Sequence, residues 1–165
     1  MPITINGNGS ITGVTEGLNR PAFRVSLNST TNVANNTNVV VPFNVVGIDT
    51  DNCYDNTNYP VTPNVAGFYH VFANVTVSTA SRPNLEDAQL RIMKNSTIIA
   101  FAEIDPSDTG EEGSLTNQTG TIVEMNGTSD SFVVQINIDR QTSSPQIVGG
   151  SKTSFFFQYI KSCQD

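Results

Sequence analysis

Apolar and polar residues alternate with a period of two over most of this chain, the repeat that puts successive side chains on opposite faces of a β-strand. One stretch departs from it by being apolar on both sides. In residues 63–77, PNVAGFYHVFANVTV, a Pro-Asn turn and a Gly lead into a long strand whose Tyr69, Val71, Ala73, Val75 and Val77 share one face. Phe68, His70 and Phe72 share the other. The first face is suited to fill a core. The second predicts a strand covered on both sides, and we take the cover to be another copy of the same chain. The last strand, residues 154–160, SFFFQYI, repeats the pattern, with Phe155, Phe157 and Tyr159 opposite Phe156 and Ile160. If Phe68, Phe72, Phe156 and Ile160 all faced water, at roughly 150–250 Å² per aromatic, the patch would exceed what a soluble monomer usually shows. The pattern therefore predicts self-association through Phe68, His70, Phe72, Phe156 and Ile160.

The remaining elements are shorter. PAFRVSL (21–27) places Phe23, Val25 and Leu27 on one face, and VVVPFNVVGID (39–49) reads as a second strand that Pro42 confines to an edge or a bulge. DAQLRIMKNSTIIAFAEI (87–104) reads as a hairpin, with Ala88, Leu90 and Ile92 inward and a turn at Lys94-Asn95-Ser96. Residues 119–125 put Thr121, Val123 and Met125 on one face, Asn126-Gly127 marks a turn, and Phe132, Val134, Ile136 and Ile138 alternate. Roughly eight to ten such strands without an amphipathic helix predict an all-β fold, a two-sheet jelly-roll sandwich over residues 21–165. Residues 1–20 differ: Ile3, Ile5, Ile11, Val14 and Leu18 lie among Gly7, Gly9, Gly13 and Gly17, too sparse for a core of their own. We read this segment as an extended arm whose isoleucines alternate as they would in a strand added to the edge of another protein's sheet.

Composition narrows the chemistry. With 165 residues, one domain is expected. Only 8 Lys and Arg against a net charge of −7 argue against a nucleic-acid surface, because neutralising phosphates takes a basic patch. No apolar run reaches the ~18 residues of a membrane span, so no membrane insertion is expected. The opening MPITINGNGS has neither a positive start nor an apolar stretch, so export by a signal peptide is not expected either. Cys53 and Cys163 lack metal-site spacing, and in a reducing compartment they are expected to stay unpaired. The sole histidine, His70, sits mid-strand, where a packed or interface role is expected, and no second histidine serves a Ser or Cys nucleophile. No catalytic residue, cofactor or metal ligand is therefore assigned. The acidic stretch with Asp105, Asp108, Glu111 and Glu112 has hard oxygen donors but not the alternating calcium-loop pattern, and it reads as a solvated loop with calcium binding left open.

Two resemblances add to this reading. The spacing Phe43, five residues, Asp49, four residues, Tyr54, then Gly67 and Tyr69, resembles the signature of the complement C1q globular head, kin of the tumour necrosis factor fold. The PAF opening at Pro21, the KNS turn, and SFFFQYI after Gly149-Gly150-Ser151 sit where that family has equivalents, while Val61, Val71 and Ala73 stand where its signature has aromatics. The resemblance implies a jelly roll assembled as a homotrimer, with the central and final strands near the threefold axis. The arm's ITINGNGSITGV is similar to the opening of many tailed-bacteriophage virion proteins. Together these imply a virion protein made in the host cytoplasm: a trimeric capsid decoration or cement protein whose arm holds the major capsid protein. One alternative is a tail-fibre or baseplate head that recognises a host-surface glycan, for which some 20 residues ahead of the head make a short shaft; another is a free C1q-like ligand, which the lack of a signal-peptide pattern disfavours.

Overall fold

The structure, a computed structural model, describes residues 4–5, 11–12, 20–79, 85–105, 114–141 and 144–161. Every regular element among them is a β-strand. Strands β1 (Thr4–Ile5) and β2 (Ile11–Thr12) pair with each other, Ile5 opposite Ile11. Ile3, Val14 and Leu18 of the arm lie outside the described residues. The body contains β3 (Ala22–Leu27), β4 (Thr31–Asn32), β5 (Val39–Val40), β6 (Val45–Asp49), β7 (Gly67–Thr79), β8 (Leu85–Lys94), β9 (Thr97–Ile104), β10 (Ser114–Met125), β11 (Phe132–Arg140), β12 (Pro145–Ile147) and β13 (Gly150–Lys161). The larger sheet runs β4-β12-β7-β13-β3-β6, with β10 on the far edge of β7; the smaller runs β5-β11-β8-β9. All pairings are antiparallel, and the two sheets make the expected jelly-roll sandwich.

The core lies between the sheets and is supplied by alternate residues of each strand. Phe23, Val25 and Leu27 on β3, Tyr69, Val71, Ala73, Val75 and Val77 on β7, and Phe155 and Phe157 on β13 are buried. They meet Ala88, Leu90 and Ile92 on β8 and Phe132, Val134, Ile136 and Ile138 on β11, all buried as the alternation predicts. Phe157 stacks on Phe23 with centroids 5.1 Å apart and receives the edge of Tyr69 at 5.1 Å.

The stretch 39–49 is two strands in different sheets: β5 pairs with β11, whereas β6 pairs with β3. Pro42 sits at the crossing, where its missing N–H takes nothing from a ladder. Val41 and Phe43 on either side of it are buried and pin the crossover between the layers. The hairpin β8–β9 turns through Asn95 and Ser96, whose φ values of 47° and 70° are those of the left-handed two-residue turns that match strand twist. At the next turn the Asn126 Oδ1 accepts the N–H groups of Thr128, Ser129 and Asp130 at 2.9–3.0 Å. Gly127 has φ 71°, and a Cβ there would fall 2.4 Å from the Ala66 nitrogen, so only glycine fits. An ion pair from Lys94 to Asp130, 2.9 Å, fastens the two turns together.

Two polar side chains bear on stability in opposite directions. Asn117 on β10 is buried, and its amide donates to the carbonyls of Ala88 (2.8 Å) on β8 and Ala102 (3.1 Å) on β9, tying the larger sheet to the smaller. Asp87 on β8 faces Asp139 across the ladder and has one buried oxygen without a hydrogen-bond partner among the described residues. Burial first, then Asp139, Glu103, Asp105 and Glu86, push its carboxyl above the ordinary value of 3.8.

Replacing Asn117 with Ala is expected to lower the unfolding free energy by about 1–3 kcal/mol in urea denaturation, since two buried carbonyls lose their donor. For Asp87 the folded state holds the proton more tightly than the unfolded chain, so the ionised carboxylate weakens the fold above its folded pKa. That loss disappears as pH falls below the unfolded value. Asp87→Asn is therefore expected to melt higher than the parent chain near pH 7 and to lose that advantage near pH 3, as thermal unfolding followed by circular dichroism will show.

Candidate assembly face of the larger sheet

Register determines which residues share the side of the larger sheet turned away from the core. Phe72 on β7 lies opposite Phe156 on β13 and Gly120 on β10. Phe156 lies opposite Arg24 on β3, and Arg24 opposite Ile48 on β6. In the next row His70 stands between Ile122 and Gln158, with Ala22 beyond, and Phe68 faces Glu124. Directly paired residues project to the same side of a sheet, so these rows make one surface across β10, β7, β13, β3 and β6. Ile160 joins it at the bulge between Tyr159 and Lys161.

That surface is open in the single chain. Ile122 is 62% exposed, Ile160 and Ile48 each 46%, and Phe68 37%. His70 is exposed, its ring 6.1 Å from that of Phe156. Phe72 and Phe156 are half-buried because they cover each other, with centroids 5.4 Å apart and planes inclined by 31°. Phe72 also lies down on the backbone of β10. A Cβ added at Gly120 would fall 2.8 Å from the Phe72 Cδ2 and 2.7 Å from the Val71 oxygen. The missing side chain at Gly120 is thus what lets an aromatic ring rest flat across the neighbouring strand.

All of the residues expected at an interface, Phe68, His70, Phe72, Phe156 and Ile160, fall on this face. Sequence reading did not find Gly120, Ile122, Arg24 and Ile48. Ile122 had a local signal, being the apolar residue on the otherwise polar side of β10, between Gly120 and Glu124. Arg24 and Ile48 had none, because their place beside Phe156 depends on pairings between distant segments.

The residues of the Phe43-Asp49-Tyr54-Tyr69 spacing play a structural part elsewhere. The Asp49 carboxylate accepts the N–H groups of Cys53 (3.1 Å) and Tyr54 (3.2 Å) and shapes the turn after β6. The Tyr54 hydroxyl donates to the Phe43 carbonyl at 2.6 Å, and the Tyr69 hydroxyl to the Val65 carbonyl at 2.6 Å. Burial pushes both phenols above their ordinary range. It does the same to the Cys53 thiol, aided by Asp49, to whose Oδ1 the sulfur donates at 3.4 Å. These groups stay protonated at neutral pH and act as donors. Cys53 is unpaired, and Cys163 lies outside the described residues. Among the described residues no three His, Cys, Asp or Glu side chains group as metal ligands. Asp108, Glu111 and Glu112 lie outside them.

The arrangement of strands has close parallels among solved structures. Murine APRIL superposes with a TM-score of 0.60 at 9% sequence identity, covering 86% of this chain and 100% of APRIL. A second murine APRIL structure gives 0.61 at 10% identity, with the same coverage. Eiger TNF from S. frugiperda gives 0.58 at 9% identity, over 88% of this chain and 94% of that one. The fold is a tumour necrosis factor-like jelly roll. No protein-family model and no curated protein matches the sequence. Within this tumour necrosis factor-like frame, the open face is the part of the larger sheet's outer side around Phe68, His70, Ile122 and Ile160, whereas Thr76 and Ser154 on the same side are buried.

The seat of Phe72 can be tested directly. Gly120→Val is expected to lift the ring off β10 and to destabilise the chain by about 1–3 kcal/mol, the usual effect of forcing extra carbon into a filled site. Gln118→Val, on the same side of β10 but exposed, is expected to stay within about 0.5 kcal/mol of the parent chain. Equilibrium denaturation of both variants gives the comparison.

Proposed function

We propose that this chain is a non-enzymatic structural protein that assembles as a homotrimer through the open face of its larger sheet. The observation that carries the reading is the apolar surface of Phe68, Phe72, Phe156, Ile122 and Ile160 on one side of the larger sheet, with Phe68, Ile122 and Ile160 exposed. Burying a large apolar side chain contributes roughly 1.5–3 kcal/mol, so covering this set drives association. Three copies rather than two is the arrangement that the C1q-head spacing supports.

The finer assignment is a decoration or cement protein of a tailed-bacteriophage capsid. It is supported by the likeness of ITINGNGSITGV to phage virion openings and by an arm of alternating isoleucines suited to edge pairing with a major capsid protein. Three arms on one trimer would act together, so that a weak single grip becomes tight through effective concentration. A trimeric head that binds a host-surface glycan uses the same assembly and differs in its partner.

Native mass spectrometry at micromolar concentration is expected to show three chains, and a monomer there refutes the assembly. Deleting residues 1–20 is expected to leave a folded trimer that no longer binds purified capsids. Capsid binding at unchanged occupancy refutes the role of the arm, and binding to host cells in place of capsids identifies the glycan-binding head.

A further inference from the structure

The two ends of the open face are not alike. At the β3–β6 end an open hollow of about 310 Å³ has Arg20, Arg24, Ile48, Phe156 and Gln158 among its lining residues, with Phe23 and Phe157 of the core beside them. The whole chain has only 8 basic residues and a net charge of −7, so two arginines at one hollow make it a rare cationic spot on an acidic molecule. At the β10 end, on the same side of the sheet, Ile122 stands out as the most exposed large apolar side chain among the described residues, at 62%. The exposed Glu124 is two residues along the same face. One end thus offers a hollow lined by apolar side chains and two arginines, the other an apolar knob beside a negative charge.

We propose that Ile122 and Glu124 of one subunit dock into the Arg24–Ile48–Phe156 hollow of the next, Ile122 filling it and Glu124 meeting Arg24 and Arg20. The proposal rests on the assembly reading and specifies its joint. Ile122 does not reach the Ile48 side of its own hollow, because β10 and β6 lie four strand spacings apart, about 19 Å. A knob and a hollow at opposite ends of one face form a head-to-tail joint, which closes into a ring when the rotation permits. Charge complementarity also sets the direction, since turning the neighbour around would bring Glu124 against Glu124.

The test uses the full chain. Glu124→Arg and Arg24→Glu, both at exposed positions, are each expected to weaken assembly at least tenfold in sedimentation at low salt, and the double variant to recover most of that loss. In a Cys163→Ser background, Ile122→Cys combined with Ile48→Cys is expected to oxidise into disulfide-linked chains up to three on a non-reducing gel. These two positions are too far apart to bridge within one subunit, since a disulfide needs Cα atoms within about 7 Å. If the parent chain is oligomeric while the charge variants assemble normally and no cross-link forms, the joint is wrong and the assembly reading stands. A ladder ending at two chains keeps the joint and refutes the trimer. A parent chain that is monomeric by native mass overturns both.

Discussion

A β-strand has two edges and two faces, and β7 uses three of the four within its own chain. One edge pairs with β10 along its length, the other with β13 and then β12, and one face is sealed in the core. Neither edge of β7 remains to pair with, and Phe68 and His70 are exposed. The remaining side of β7, extended by its neighbours on β10 and β13, carries the exposed Phe68, Ile122 and Ile160. Its composition suits association, because Phe72 and Phe156 already shield each other and present a rigid, preformed aromatic centre.

The rigidity of this face depends on polar joints that hold the layers behind it. Asn117 bridges the sheets at the β10 edge. Near β13, the Thr153 hydroxyl accepts the Thr76 N–H at 3.1 Å and donates to the Val148 carbonyl at 2.6 Å, so a buried threonine pair is satisfied without water. Arg140 continues the inward side of β11 beyond Ile138 and is buried, donating to the Ser144 carbonyl at 2.8 Å. Its burial lowers its affinity for the proton. The ladders of β10 and β13 with β7, to which the Thr76–Thr153 contact adds, set the register that aligns Gly120, Phe72 and Phe156.

The likeness to APRIL and Eiger TNF has a physical basis that needs no shared surface. At 9–10% identity the likeness is one of fold, which inward alternation and strand order suffice to specify. The residues behind the C1q-head spacing belong to the same level, because Phe43, Asp49, Tyr54 and Tyr69 hold turns and carbonyls near the core. They account for the fold and leave the partner to the outer face.

The sequence by itself determined the strands and their inner sides. Period-two alternation is a local property, so Phe132, Val134, Ile136 and Ile138, or Tyr69 through Val77, declare their buried side without knowledge of any partner. Turn chemistry is equally local, as Asn95-Ser96 and Asn126-Gly127 show. Pro42 announced a break, but that the chain there leaves one sheet for the other depended on which strands β5 and β6 pair with. The doubly apolar strands announced an open face by their own composition. Its membership was decided only in three dimensions. Phe156 comes from 84 positions beyond Phe72, Arg24 and Ile48 from the other side of it, and only backbone pairing sets them side by side. The need for glycine at 120 exists because a ring from another strand lies there, and the hollow beside Arg24 exists because β3, β6 and β13 meet at its walls. Faces belong to single strands and are written in local order; surfaces belong to registers between strands, which no single segment contains.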